Sequence, residues 1–202
     1  MVLFHPKTKK ERLIIGITQT AHGLGVTHLC IALANFMASK QKKKTACLEL
    51  STSDAFSQLY SMPKDASMPS YFQIHDVDYY PNVQKTDIPM LINSGYEILI
   101  LDFGILTDTC LDELLRCDRK LLLCSNAPWR KAELSSCLSS YPQLRKMEFL
   151  LFMIKYGNHI GIAKFAWEFS IPYGQFRIVP FLQNPFHIEK EWFTFFDSLL
   201  LP

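Results

Sequence analysis

The sequence predicts an α/β domain with a doubly wound, mostly parallel sheet. Short apolar runs alternate with stretches of helical periodicity along the chain, as in successive β-α-β units. Several runs are continuously apolar, most clearly Glu97 to Phe103 (E-I-L-I-L-D-F), which suits central parallel strands covered on both faces. The first apolar run leads into a glycine-containing turn and then a helix pattern. Open parallel sheets gather ligands at such junctions, at the carboxyl ends of their strands.

The elements follow in order. Arg12 to Thr18 (R-L-I-I-G-I-T) is an Ile-rich strand. After the turn Gln19 to Thr27, residues His28 to Lys40 repeat Leu29, Ala32, Leu33, Phe36 and Met37 at helical spacing, a face for the sheet. Lys40, Lys42, Lys43 and Lys44 close that helix, where cations complement the negative end of its dipole. Thr45 to Leu50 is a second buried strand, and Ala55 to Tyr60 a short helix. Pro63, Pro69 and Pro81 break up the next stretch, in which Phe72 and Ile74 mark a short edge strand. Asp87 to Ser94 is helix-compatible and stops at Gly95, a left-handed cap. Beyond the Glu97–Phe103 strand come a helix at Asp108–Cys117, a strand within Arg119–Ser125 and a helix at Lys131–Ser140. A strand at Met147–Ile154, a helix at Ala163–Phe169, a strand at Gln175–Val179 and a final helix at Ile188–Leu200 complete the pattern. No Gly- or Ser-rich linker divides the chain, so residues 1–202 are expected to form a single domain.

Composition narrows the function. Hydrophobic residues make up 49% of the 202 residues and charged ones 20%, a globular composition rather than a disordered one. Lys plus Arg is 21 against 19 Asp plus Glu, a formal balance of +2 that gives no broad basic field. Nucleic acid is therefore a poor candidate partner. The six cysteines include no CxxC pair and read as buried thiols, not a zinc or disulfide framework. The N-terminus lacks a signal-peptide pattern, and no apolar run reaches the length of a membrane span. A reducing cytoplasm is the expected home. The C-terminal stripe Ile188, Trp192, Phe195, Phe196 and Leu199 faces acids rather than cations, which favours core or partner packing over a lipid surface.

The chemistry concentrates at the first junction. A turn containing Gly23 and Gly25 lets main-chain N–H groups point inward at an anion, and the helix that follows adds unpaired N–H groups and its dipole. Thr27 is the hydroxyl suited to a Mg²⁺ ion. His22 and His28 flank the turn, either as phosphate donors or as residues that cap and solvate it. The helix dipole would lower the pKa of His28. Glu49 and Asp102 each close an apolar strand. Glu49 reads either as an organiser of water or metal or as a strand-end acid in a polar pocket. Asp76 and Asp78 read as a solvated strand edge rather than a metal site, since no third acid stands nearby. Trp129 and Arg130 follow a buried strand and serve either an interface or local packing.

The loop Ala21-His22-Gly23-Leu24-Gly25-Val26-Thr27, the strand end Leu48-Glu49-Leu50 and the run Ile98 to Gly104 (I-L-I-L-D-F-G) together resemble the deviant phosphate-loop NTPases of the ParA/MinD group. Within that group the chain is most similar to the degenerate branch that includes the CpaE-like Tad pilus-assembly Z proteins. The resemblance implies a P-loop NTPase-like fold of the SIMIBI class. It implies ATP or ADP held by Gly23, Leu24, Gly25, Val26, Thr27 and His28, with Mg²⁺ at Thr27 and Asp102, the latter as a Walker B acid. Glu49 and Asp102 are the candidate catalytic residues. The family pattern is K-G-G-x-G-K-[TS], and both lysine positions are replaced, by Ala21 and Val26. Loss of a transition-state donor of this kind costs about 10²-fold or more in rate. Enzyme activity is thus left open, leaning against turnover, and nucleotide binding is weak or lost. The family's base-reading Asn has no counterpart in register, since Lys155 and Asn158 both fall out of place. The implied function is a scaffold or positioning factor, acting through a homodimer and protein partners such as pilus or secretion components, without membrane insertion. One alternative is a slow ATPase switch, which would need a lysine supplied from elsewhere in space, Lys131 or Lys155. The other is an ATP-dependent small-molecule ligase or synthetase, which would demand a second substrate pocket.

Overall fold

The strands that the sequence marks as continuously apolar occupy the middle of one sheet. A computed structural model of the chain describes residues 12–59, 71–155 and 159–200. Its strands are β1 (Leu13–Gln19), β2 (Thr45–Glu49), β3 (Phe72–Ile74), β4 (Val77–Tyr80), β5 (Ile98–Ile105), β6 (Arg119–Ser125), β7 (Leu150–Lys155) and β8 (Phe176–Val179). They form one eight-stranded sheet in the order β3-β4-β2-β5-β1-β6-β7-β8. All neighbours run parallel except β3 with β4. The chain leaves β1 for one side of the sheet and returns to the other at β6, so the carboxyl end of β1 is a topological switch point.

Helices α1 (Val26–Ser39), α2 (Ala55–Leu59), α3 (Ile88–Ile92), α4 (Asp108–Arg116), α5 (Lys131–Ser140), α6 (His159–Phe169) and α7 (Phe193–Leu200) cover both faces. One core joins α1 and α7 to the sheet through Leu29, Leu33, Phe36, Phe196 and Leu199. The other joins α4, α5 and α6 through Leu114, Leu134, Leu138, Ile162 and Phe165. Two buried faces explain why the central strands carry apolar residues at every position rather than at alternate ones.

Most boundaries fall within a few residues of those expected, and α5 spans the expected residues. Helix α6 begins earlier than expected, at His159. The final helix is split, a 3₁₀ turn at Lys190–Trp192 leading into α7. Phe196 stacks on Phe36 at 5.1 Å between ring centroids and Phe193 lies 5.5 Å from the same ring, so the C-terminal stripe is core packing. Gly95 ends the α3 region at φ 81°, the left-handed cap that was expected. All six cysteines are buried and free. At the lysine-rich turn, Lys40 lies over the Phe193 ring and Lys44 over the Tyr96 ring, while Lys43 pairs with Glu97.

The Asp76–Tyr80 segment corrects the sequence reading. Asp76 is exposed in a turn, but Asp78 is buried inside β4, which pairs with β2 and is not a solvated edge. Asp78 accepts from Gln73 Nε2 at 2.9 Å and from the Tyr96 hydroxyl at 2.7 Å, and Tyr96 shares a further 2.9 Å bond with Tyr80. These donors replace the lost water, which is what makes a buried carboxylate tolerable. Among the described residues, no cluster of three or more His, Cys, Asp or Glu could hold a metal ion. No described helix is long and apolar enough to cross a membrane. Pro63, Pro69 and Asn158 lie outside the described residues, as do the N-terminal residues through Glu11.

Candidate functional site

The first βα loop lies at the tips of the central strands. Gly25 precedes α1 with φ 88° and ψ 35°, a left-handed conformation that a residue with a Cβ adopts only under strain. The first bond of α1 runs from Leu29 N–H to the Gly25 carbonyl at 3.0 Å. The amides of Gly25, Val26, Thr27 and His28 therefore lack intrahelical acceptors, and no side chain caps them. Gly23 is also left-handed, at φ 78°, and a Cβ on it would meet nothing within 4 Å, so that side of the loop is open. The loop is held from inside: Gln19 Oε1 accepts the Leu24 N–H at 3.2 Å, and the Leu24 side chain is buried. It is held from outside by Arg130, which donates to the His22 carbonyl at 2.8 Å and pairs through Nε with Glu133 at 2.9 Å. Arg130 thus serves local packing, while Trp129 beside it is 83% exposed. Neither tether could be read from sequence, because a main-chain carbonyl or amide carries no residue signal.

Thr27 and Asp102 lie in contact. The Thr27 hydroxyl donates to Asp102 Oδ2 at 2.6 Å, and Asp102 Oδ1 accepts the Gly104 N–H at 2.9 Å. Burial pushes the Asp102 carboxyl up to about 6, aided by the charge of Glu49 and opposed by the bonds from Thr27 and Gly104. Residue Gly104 sits in a bulge of β5, where the register with β1 slips by one residue between Ile17↔Asp102 and Gln19↔Ile105. It has φ 64°, and a Cβ there would lie 2.7 Å from the Cβ of Ser51.

Glu49 stands beside Asp102 in the β2–β5 register, also fully buried. Its Oε1 accepts from Ser53 Oγ and from Ala55 N–H, both at 2.7 Å, and Oε2 accepts from Phe56 N–H at 3.3 Å. These donors make Glu49 the acceptor that closes the start of α2. Beside the loop opens a cleft of about 1100 Å³ whose lining includes Gln19, His22, Thr27, Ser51, Asn82, Lys85, Gly104 and Thr107. Val26 shows the cleft only an edge, being 4% exposed and packed in the α1 core.

The flanking cations separate. His22 is exposed. His28 has its pKa lowered chiefly by burial, with Lys155 adding to the effect and a bond to the Leu182 main chain opposing it. The direction is the one expected for a histidine at this helix start. His28 Nε2 is buried with no hydrogen-bond partner. Of the two lysines that could reach the loop from elsewhere, Lys131 pairs with Glu168 of α6. Lys155, at the end of β7, places its Nζ 3.1 Å from where a Gly25 Cβ would stand.

A phosphate chain fits the open amides of this loop, and Mg²⁺ suits the hydroxyl and carboxylate of Thr27 and Asp102. Neither Ala21 nor Val26 brings a charge to the loop.

No family model matches the sequence, and no curated protein matches it. Solved structures do match. A plasmid partition protein from Borrelia burgdorferi bound to AMPPNP is 14% identical, with TM-score 0.66 over 94% of this chain and 97% of that one. A ParA family ATPase from Chlorobium tepidum is 12% identical, with TM-score 0.63 over 94% and 89%. The MinC:MinD cell division complex of Aquifex aeolicus matches at 11% identity and TM-score 0.62 over 93% and 86%. At these identities the likeness establishes architecture alone: this chain shares the fold of these structures.

Proposed function

We propose that this chain is a catalytically degenerate ParA/MinD-like protein that acts as a scaffold or positioning factor. It binds nucleotide weakly, hydrolyses little of it and works through a second copy of itself and protein partners, such as those of a pilus or secretion apparatus in the cytoplasm. One observation carries this reading. The loop keeps four uncapped amides and the Thr27–Asp102 pair, while Ala21 and Val26 leave it without a lysine of its own. Amides and a helix dipole can seat a phosphate without side-chain charge. Turnover needs more, because donors aimed at the transition state supply much of the rate. The loop residues Gly23 to His28 would hold the phosphates, and Thr27 with Asp102 would hold Mg²⁺, which would neutralise phosphate charge when bound. The structural neighbours include a partition protein with a bound nucleotide analogue and a two-protein complex, which supports a nucleotide site and protein partners.

The test pairs binding with turnover. Mg-ATP and Mg-ADP should each raise the melting temperature modestly, with phosphate release no greater than that of Asp102→Ala, and sedimentation should show a dimer without nucleotide. Release that Asp102→Ala abolishes would establish the slow ATPase switch instead. The position of Lys155 against Gly25 is the observation that favours that second reading.

A further inference from the structure

We propose that Lys155 is the cation of the anion seat, brought to the loop from β7 in place of the lysine that Val26 replaces. The inference rests on the reading of the loop as a phosphate seat, and it names that seat's charge source and its ligand class, polyphosphate groups.

Residue Lys155 closes β7, which is separated from β1 by β6 in the sheet. From there its side chain crosses to α1's first turn, where Nζ stands 3.1 Å from the Cβ position of Gly25. Gly25 therefore answers two demands at once. Its φ of 88° turns the chain into the helix, and its missing side chain leaves the ammonium its place. The four uncapped amides of Gly25 to His28 begin at the same point. An ammonium beside uncapped amides makes a site for a multiply charged anion, with a point charge that suits phosphate oxygens.

Arg130 is bound to Glu133 and to the His22 carbonyl, and Lys131 to Glu168. His28 is held toward its neutral form by burial and by the Lys155 charge itself. Position 26 cannot contribute, because its valine is packed in the α1 core.

The experiment uses the full chain, with inorganic pyrophosphate as the probe and calorimetric titration as the readout. Lys155→Gln should weaken pyrophosphate about tenfold or more and flatten its dependence on salt between about 50 and 200 mM. Lys155→Arg should bind within about threefold of wild type, since the charge is kept. Equal affinity and equal salt dependence in Lys155→Gln and wild type overturn this proposal alone and leave an all-amide seat. Absence of pyrophosphate binding in wild type overturns the proposal together with the seat. Should Lys155→Gln fail to fold, amine acylation of the wild-type protein decides: pyrophosphate should slow acylation of Lys155 about threefold or more relative to the exposed Lys42, in the turn after α1. Equal acylation with and without pyrophosphate overturns it.

Discussion

Glu49 and Asp102 are register partners at the ends of β2 and β5, and both are fully buried carboxylates. Their oxygens are used differently. Glu49 accepts from Ser53 and from two amides at the start of α2, so its charge is spent on shaping its own strand's exit. Asp102 accepts from Thr27 across the sheet and from Gly104 in its own bulge, so it ties the loop to the β5 end. A shared residue type, position and burial therefore do not fix a role. What distinguishes the two is whether the donors come from the acid's own connection or from the anion loop. The β2 end is finished structure. The β5 end carries a carboxyl raised to about 6, held by one hydroxyl that a metal could take over.

The largest expected effect comes from pressing the two ends together. Gly104 has φ 64° and would set a Cβ 2.7 Å from the Ser51 Cβ, on the segment that leaves β2. Gly104→Ala should cost about 4 kcal/mol in urea unfolding, combining left-handed strain with a clash against a stiff neighbour. Gly95→Ala is the control: φ is 81° but nothing lies within 4 Å. It should cost only about 1 kcal/mol, the strain by itself. Equal losses for the two variants would mean that the β5 bulge and the β2 exit do not press on each other.

The second effect is a pH slope that belongs to Asp102 alone. Its folded pKa of about 6 lies above the ordinary carboxylate value of 3.8, so the folded state holds the proton more tightly than the unfolded chain does. The resulting stability is fully present below about pH 4, declines through about pH 6 and is absent above it. Relative to Asp102→Asn, wild type should therefore lose about 3 kcal/mol between these limits and then level off. Chemical unfolding of both proteins at stepped pH measures this. A difference that stays flat from pH 4 to 7 would show Asp102 to be solvated and no different from a surface acid.

The sequence made the scaffold of this comparison legible and hid its working parts. Strands such as β5 and β6 were readable because burial on both faces writes apolar residues at every position. β4 was not, because Asp78 and two tyrosines look like an exposed edge until Tyr96, eighteen residues on, supplies the buried hydroxyl. The Gly23–Thr27 turn and Asp102 were legible as motif, and their 2.6 Å contact follows from it. Lys155 was legible only as one of two lysines to be supplied from elsewhere in space, since the choice depends on strand order rather than on local pattern. The main-chain partners of Glu49 and Arg130 left no trace in residue types at all.

The smallest effect tests the Glu49 side of the contrast. Three donors converge on this carboxylate, two of them amides at the first turn of α2. A helix as short as Ala55–Leu59 cannot persist on its own propensity, so its start depends on that acceptor and on the burial of Phe56. Glu49→Gln keeps the shape but replaces charged acceptors with one neutral oxygen and one unwanted donor. It should cost about 2 kcal/mol at neutral pH, in the range for hydrogen bonds to a charged group. The pyrophosphate affinity of the variant should stay within about twofold of wild type, because none of the loop's donors touches Glu49. A large loss of anion binding with little loss of stability would reverse the assignment and make Glu49, rather than Asp102, the acid that serves the loop.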